Sequence, residues 1–324
     1  MVNVLTKRDA QTSPQHGCHP NQRPIGDLLN RSILNVNKPS GPTSHMVSSY
    51  VKDIFGIKKA GHSGTLDPHV TGVLPVALSR ATKVLEVLLL SKKEYVAIMK
   101  IHKPVSKEQI EKVCKQFSGE IIQMPPVRSA VKRQWRKRNV YYLEILEIDG
   151  QNVLFKVGCQ AGTYVRKLIH DIGIALGTGA HMAELVRTKA GPFDESQMVT
   201  LQDITDAFWY YKEENNEKFL RSILYSVEFA ASELPKIWVM DTTVDTLCHG
   251  ALLGVPGIAK LEDTIEAGNI VSILTLKGEL VSIGEAKMSA SQIMESKNGI
   301  AVVSNKTFME PNTYPKMSQA ESSK

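Results

Sequence analysis

Residues 140–161, VYYLEILEIDGQNVLFKVGCQA, constrain the fold of this chain more than any other stretch. Two alternating apolar runs meet at Asp149-Gly150, and an Asp-Gly dipeptide between such runs is a strong local signal for a β-hairpin. The surrounding chain is thereby committed to antiparallel sheet. Helical spacing is interleaved with it. VSKEQIEKVCKQFSG (105–119) sets Ile110, Val113, Cys114 and Phe117 on one face, with Gly119 just past the end. GTYVRKLIHDIGIALG (162–177) does the same with Val165, Leu168, Ile169, Ile172 and Leu176, and Thr163 is the expected N-cap. KEYVAIMKIH (93–102) alternates as a strand, and SRATKVLEVLLLSK (79–92) has helical spacing. ILNVNKPSGPTS (33–44) reads as a strand entering a Pro/Gly turn, with Thr43 or Ser44 capping HMVSSYVKDIF. The expected class is α+β.

The texture changes near 233–236. Beyond it WVMD, IVSILTL and ELVSIGEAKM are short strands separated by glycine-bearing turns, the pattern of a compact β-rich module. Residues 1–30 are polar and irregular, YYKEENNEKF at 210–219 reads as solvated helix and loop, and 313–324 reads as a frayed tail. A length of 324 residues suits one large and one smaller domain, at about 150 residues per domain. No apolar run reaches the roughly 20 residues of a membrane span. VLEVLLL at 84–90 is interrupted by Glu86, and the N-terminus lacks an apolar export core. The cysteines at 18, 114, 159 and 248 are too dispersed for a zinc knuckle or a CxxC pair, as suits a reducing compartment. His16, Cys18 and His19 lack a fourth donor, so no metal is expected.

The net charge is +6, and its distribution says more than its sum. RSAVKRQWRKR holds Arg128, Lys132, Arg133, Arg136, Lys137 and Arg138 around Trp135. Such a run is either a solvated charged segment or a loop that grips phosphates and stacks on a base. GHSGTLDPHVT at 61–71 presents one carboxylate, Asp67. Pro68 biases Asp67 toward an extended backbone, while Gly61 and Gly64 permit turns that other residues resist. The carboxylate is a candidate nucleophile or base, or the acceptor of an ordinary Asx turn. The chain lacks GxxxxGK[ST], GxGxxG after a strand, HExxH and GxSxG, which removes the commonest nucleotide-, zinc- and serine-dependent chemistries.

Taken together, NKPSGPTS (37–44), GHSGTLDPHVTG (61–72), KEYVAIMKIH (93–102), PPVRSAVKR (125–133), AGTYVRKLIHDIG (161–173) and GAHMAELVRTKAGPF (179–193) resemble the TruB/dyskerin group of pseudouridine synthases, in particular its archaeal box H/ACA branch. HGALLGVPGIAKL (249–261) and GIAVVSNKTFM (299–309) resemble that group's PUA domain, and the likeness spans roughly residues 30–310. Val70 stands where many bacterial members carry alanine. The resemblance implies a pseudouridine synthase fold over 31–234, a mixed and largely antiparallel sheet flanked by helices. A PUA domain would follow over 235–312, with the 1–30 extension packing near it.

By the same resemblance, a uridine in RNA has its glycosidic bond broken and is rejoined through C5, without a cofactor. Asp67 matches the catalytic aspartate, and Arg166 the arginine that pairs with it; from spacing alone Arg166 would be a surface residue. Tyr95 matches the aromatic that stacks on the flipped base and assists loss of the C5 proton. Leu185 lines the pocket, and His62 and Lys38 lie close to the RNA or the site floor, with a structural role the alternative for His62. The basic run Arg128, Lys132, Arg133, Arg136, Lys137 and Arg138 matches a mobile thumb loop, and His249 and Gly250 fall in the PUA motif. Expected partners are a box H/ACA guide RNA, an rRNA or tRNA substrate and small accessory proteins. A stand-alone tRNA T-loop synthase is the rival, disfavoured by the short thumb and the N-terminal extension. A non-catalytic RNA-binding scaffold is the remote one. No lysine-rich run follows Lys316, unlike the eukaryotic members, which points to an archaeal, cytoplasmic protein.

Overall fold

The structure is a computed structural model and describes residues 2–125 and 132–316. Its described residues fall into two compact units. One takes in the chain up to Ile33, Leu78–Val84 and everything from Leu224; the other takes in Leu34–Ala77 and Leu85–Ile223.

The chain starts with strand β1 (Val4–Thr6) and helix α1 (Ile25–Arg31), then continues through β2 (Ser32–Lys38), α2 (Ser44–Phe55), β3 (Ala60–His62), β4 (Thr71–Leu78), α3 (Leu85–Leu90) and β5 (Lys93–Ile101). It goes on through α4 (Lys107–Lys115), β6 (Gly119–Gln123), β7 (Arg136–Asp149), β8 (Asn152–Cys159), α5 (Val165–Ala175) and β9 (Ala180–Ala190), and α6 (Leu201–Glu214) follows. Strands β2-β4-β9-β5-β8-β7-β6 are neighbours in that order, with β3 paired to β4. Pairing is antiparallel for β9–β5, β5–β8, β8–β7 and β7–β6, while β4 and β9 pair parallel at Thr71–Val186 and Gly72–Arg187.

The Asp149-Gly150 hairpin forms with Asp149 opposite Asn152, and Gly150 turns at φ +55°. The odd-numbered row of β5, Ala97, Met99 and Ile101, is buried with Phe155 and Val157 of β8 against Ile110 of α4 and Leu168, Ile169 and Ile172 of α5. The apolar periodicity of both helices therefore has its partner in one sheet face. Burying each of the larger side chains in this set contributes about 1.5–3 kcal/mol.

Two local expectations change. Strand β7 begins at Arg136, so Arg136, Lys137 and Arg138 belong to a strand opposite Gln123, Ile122 and Ile121 of β6 rather than to a loop. Strand β6 offers an edge to pair with, and ladder bonds outweigh the low strand preference of lysine. The N-cap of α5 is Tyr164, not Thr163, whose hydroxyl donates to the Gln160 carbonyl at 2.7 Å.

The other unit carries a seven-stranded sheet in the order β1, Ile258–Glu262, Lys236–Val239, Ile270–Thr275, Leu280–Ala286, Ile300–Thr307, Leu253–Gly254. Strand β1 is its edge, with Val4 opposite Glu262. Lys277 donates to the carbonyls of Ser13 (2.8 Å) and His16, and Arg23 pairs with Glu228 at 2.7 Å. Tyr314 is buried, its hydroxyl donating to Glu279 at 2.7 Å. The segment read as a tail from 313 is thus anchored at Tyr314, because an aromatic ring with a satisfied hydroxyl gains by burial. Residues 317–324 of that segment lie outside the described residues.

Candidate active site

The site grows from the loop between β3 and β4, and two devices hold that loop from beneath. Lys38, at the end of β2, is fully buried, and its ammonium donates to the carbonyls of Pro39 (2.8 Å), Pro68 (2.8 Å) and Val70 (2.9 Å). Ser44, the first residue of α2, accepts the Leu66 N–H at 2.8 Å and donates to the Leu66 carbonyl at 3.2 Å. Helix α2 is capped by Thr43, which accepts the Met46 N–H at 3.1 Å. Ser44 is thereby left to grip the residue next to Asp67. Within the loop the Val70 N–H donates to the Asp67 carbonyl at 3.0 Å, so a backbone acceptor closes the turn.

The Asp67 carboxylate forms an ion pair with the Arg166 guanidinium, from the first turn of α5 and 99 residues away. Both side chains are more than half exposed (52% and 58%). A pair in such a setting contributes only about 0–1 kcal/mol to stability. Two elements converging to place a carboxylate and a guanidinium in solvent is therefore better explained by chemistry than by folding.

Tyr95 stands in β5 opposite Arg187 of β9 and Val157 of β8, partly buried on the core face that also meets α5. Arg187 is buried; it donates to the carbonyls of Val73 (2.7 Å) and Gly64 (3.3 Å) and faces the Tyr95 hydroxyl. Burial raises the Tyr95 phenol above its ordinary value and Arg187 partly opposes this, so the phenol is neutral near pH 7. Leu185 lies opposite Ala97 and packs against the same apolar cluster. His62, at the end of β3, is held below its ordinary value, chiefly by burial, with Arg187 and His45 adding to the effect. Burial also lowers Lys38, and the Asp67 charge acts against that.

Asp67 and Arg166 are thus in direct contact, while Tyr95 is joined to the loop through Arg187. Lys38 serves the floor, its ammonium donors all taken up by backbone carbonyls. Lys132, Arg133 and Lys137 are exposed, with Lys137 paired to Glu120 at 2.9 Å. Arg136 donates to the Lys132 carbonyl at 3.3 Å. Arg138 lies against Gly162, where a Cβ would come within 3.1 Å of its guanidinium. Arg128 lies outside the described residues. His249 and Gly250 are exposed at the end of the helix Asp241–Cys248 in the other unit, the His249 ring bonded to the Asp245 carbonyl at 2.8 Å.

Sequence reasoning missed Arg187 and treated Ser44 only as a cap. The signal for Arg187 was its register: it is two residues from Leu185, so it shares the strand face of the residue that the resemblance assigns to the pocket. Among the described residues no group of three or more His, Cys, Asp and Glu side chains could hold a metal ion, and no helix is long and apolar enough to cross a membrane.

Known proteins carry the same arrangement of segments. A model of the TruB family pseudouridylate synthase N-terminal domain matches residues 52–105 and 98–165, and the tRNA pseudouridylate synthase B C-terminal domain matches 166–232. A PUA domain matches 235–307 and a DKCLD domain matches 1–48. A probable tRNA pseudouridine synthase B of Methanopyrus kandleri is 52% identical over 97% of this chain and 93% of its own length. The protein of that name from Nanoarchaeum equitans is 54% identical over 97% and 90%. Among solved structures, a Cbf5–Nop10–Gar1 complex is similar at 50% identity with a TM-score of 0.94, covering 98% of this chain and 97% of the other. An H/ACA ribonucleoprotein bound to a substrate RNA containing 2′-deoxyuridine follows at 48% and 0.92, covering 98% of each.

Proposed function

The chain belongs to the TruB family of pseudouridine synthases, and on that premise we propose that it isomerises uridines in rRNA or tRNA selected by a box H/ACA guide RNA, with Asp67 as the catalytic carboxylate. The observation that carries this reading is the exposed Asp67–Arg166 pair on a loop braced by Lys38 and Ser44. In the reaction the N1–C1′ bond breaks and a C5–C1′ bond forms. The C5 proton leaves and N1 takes up a proton, so composition and redox state are unchanged. Asp67 acts as an ionised carboxylate, and Arg166 holds its oxygens by a charge-assisted hydrogen bond. A paired uridine must first leave its stack. Tyr95, a neutral phenol, supplies the face on which the extruded uracil rests, and Leu185 closes the pocket beside it.

Residues 31–234 form the catalytic domain in this reading. Residues 235–312, with His249 and Gly250, grip the guide, and the 1–30 extension packs with them. Lys132, Arg133, Arg136, Lys137 and Arg138 contact the substrate strand, accessory proteins complete the particle, and the protein works in the cytoplasm. Asp67→Asn keeps the side-chain shape and removes the charge. Tritium release from C5-labelled uridine should vanish while RNA affinity changes little; normal turnover would sink the assignment. A second reading, guide-independent modification of tRNA, is favoured by the name its relatives bear. Turnover of a tRNA transcript without guide RNA or accessory proteins would select it.

A further inference from the structure

We propose that Gln123 is a positioning residue for Arg166, holding the start of α5 so that the guanidinium meets Asp67. Gln123 ends β6 and is 2% exposed. Its amide nitrogen donates to the Tyr164 carbonyl at 3.2 Å, and its amide oxygen accepts the Tyr164 N–H at 3.0 Å. The side chain thus serves Tyr164 as a neighbouring strand would. Tyr164 is the N-cap of α5, its side chain makes no capping bond, and Arg166 lies two residues further on. The other end of the 160–164 loop is tied to β7. Gln160 N–H donates to the Asn139 carbonyl at 2.8 Å, and Asn139 N–H donates to the Gln160 side-chain oxygen at 3.1 Å.

Both ties come from paired strands, since Glu120 of β6 lies opposite Asn139 of β7. An amide buried without partners is costly, so an apolar residue would suit this strand end better if nothing required the bonds. The two bonds account for the glutamine, and the backbone they hold carries Arg166. A guanidinium on a long side chain is aimed by its backbone. A displacement of about 1 Å at a catalytic group can slow a reaction on the order of 100-fold.

The inference rests on the reading of Asp67 and Arg166 as the catalytic pair, and its test separates the two. Single-turnover tritium release is measured on C5-tritiated RNA in the particle reconstituted with guide RNA and accessory proteins. The variants are Gln123→Met, Arg166→Lys and the double variant. Gln123→Met, similar in length and without the two bonds, should slow the chemical step roughly 10- to 100-fold with RNA affinity unchanged. In the Arg166→Lys background the same change should cost less than about threefold more, because the side chain it positions is already altered. Equal losses in both backgrounds would overturn the proposal, as would a normal rate in Gln123→Met. If Gln123→Met does not fold, Gln123→Glu, which keeps the acceptor for the Tyr164 N–H, takes its place in the cycle under the same criteria. Asp67→Asn is run alongside. Normal turnover there refutes the catalytic pair, whereas additive losses with an inactive Asp67→Asn refute only the role of Gln123.

Discussion

Lys38 has its whole side chain out of water and faces three carbonyl oxygens instead of a carboxylate. Burying a charge is costly unless hydrogen bonds replace its hydration, and here those bonds staple the loop that carries Asp67 to the end of β2. Gly72 shows the same economy of space. Its φ is +101°, and a Cβ there would lie 2.3 Å from the Arg187 carbonyl oxygen. Gly72→Ala should cost ~1–3 kcal/mol or more in urea denaturation, because the nearest clashing atom belongs to the backbone of Arg187. It should also lower activity, since the register it disturbs places Arg187. His62 contributes a pH dependence below its ordinary titration range. Its folded-state value lies below the ordinary 6.5, so below pH 6.5 the unfolded chain takes up a proton that the folded one refuses. Stability is full above 6.5 and falls as pH drops into the window below it. His62→Gln should flatten the dependence of the urea midpoint on pH between about 6.5 and 5; an unchanged slope would remove His62 as its source.

Among the elements, α5 and α2 do most to shape the site. The apolar face of α5 is buried against β5 and β8, which fixes the height from which Arg166 extends. Leu168→Ala should cost ~2–5 kcal/mol by urea denaturation, and with the fold retained its RNA affinity should match that of the parent chain. A loss of affinity without loss of stability would show that α5 meets RNA by another route. Helix α2 divides its start between two hydroxyls, Thr43 for the helix and Ser44 for Leu66. The pair β6–β7 extends the sheet into the basic run, so three of its cations sit at strand register. Trp135, just before that strand, is 66% exposed, as a residue kept for stacking on a base would be.

On the scale of the whole molecule, the +6 charge matters through where it is placed. If Lys132 and Arg133 meet single-stranded phosphates, replacing both by alanine should lower the slope of log affinity against log salt by about 1.4, at about 0.7 per contact. An unchanged slope in a filter-binding series would exclude them. The sequence by itself determined the local matters: the 149–150 hairpin, the apolar faces of α4 and α5, the extended Asp67 before a proline, and the motif set that carries the family. These follow from neighbours within a few residues, where periodicity and turn chemistry operate. It misjudged the N-cap of α5, the start of β7 and the fate of Tyr314, because each depends on a partner far along the chain. The resemblance names Arg166 as the partner of Asp67 and sets Lys38 near the floor; only the tertiary structure supplies the contact across 99 residues, the three carbonyls around Lys38, the approach of Arg187 to Tyr95 and the hold of Gln123 on the backbone of Tyr164. The sheet order decides those meetings, and strand order is settled by burial summed over the whole core, which no single motif encodes.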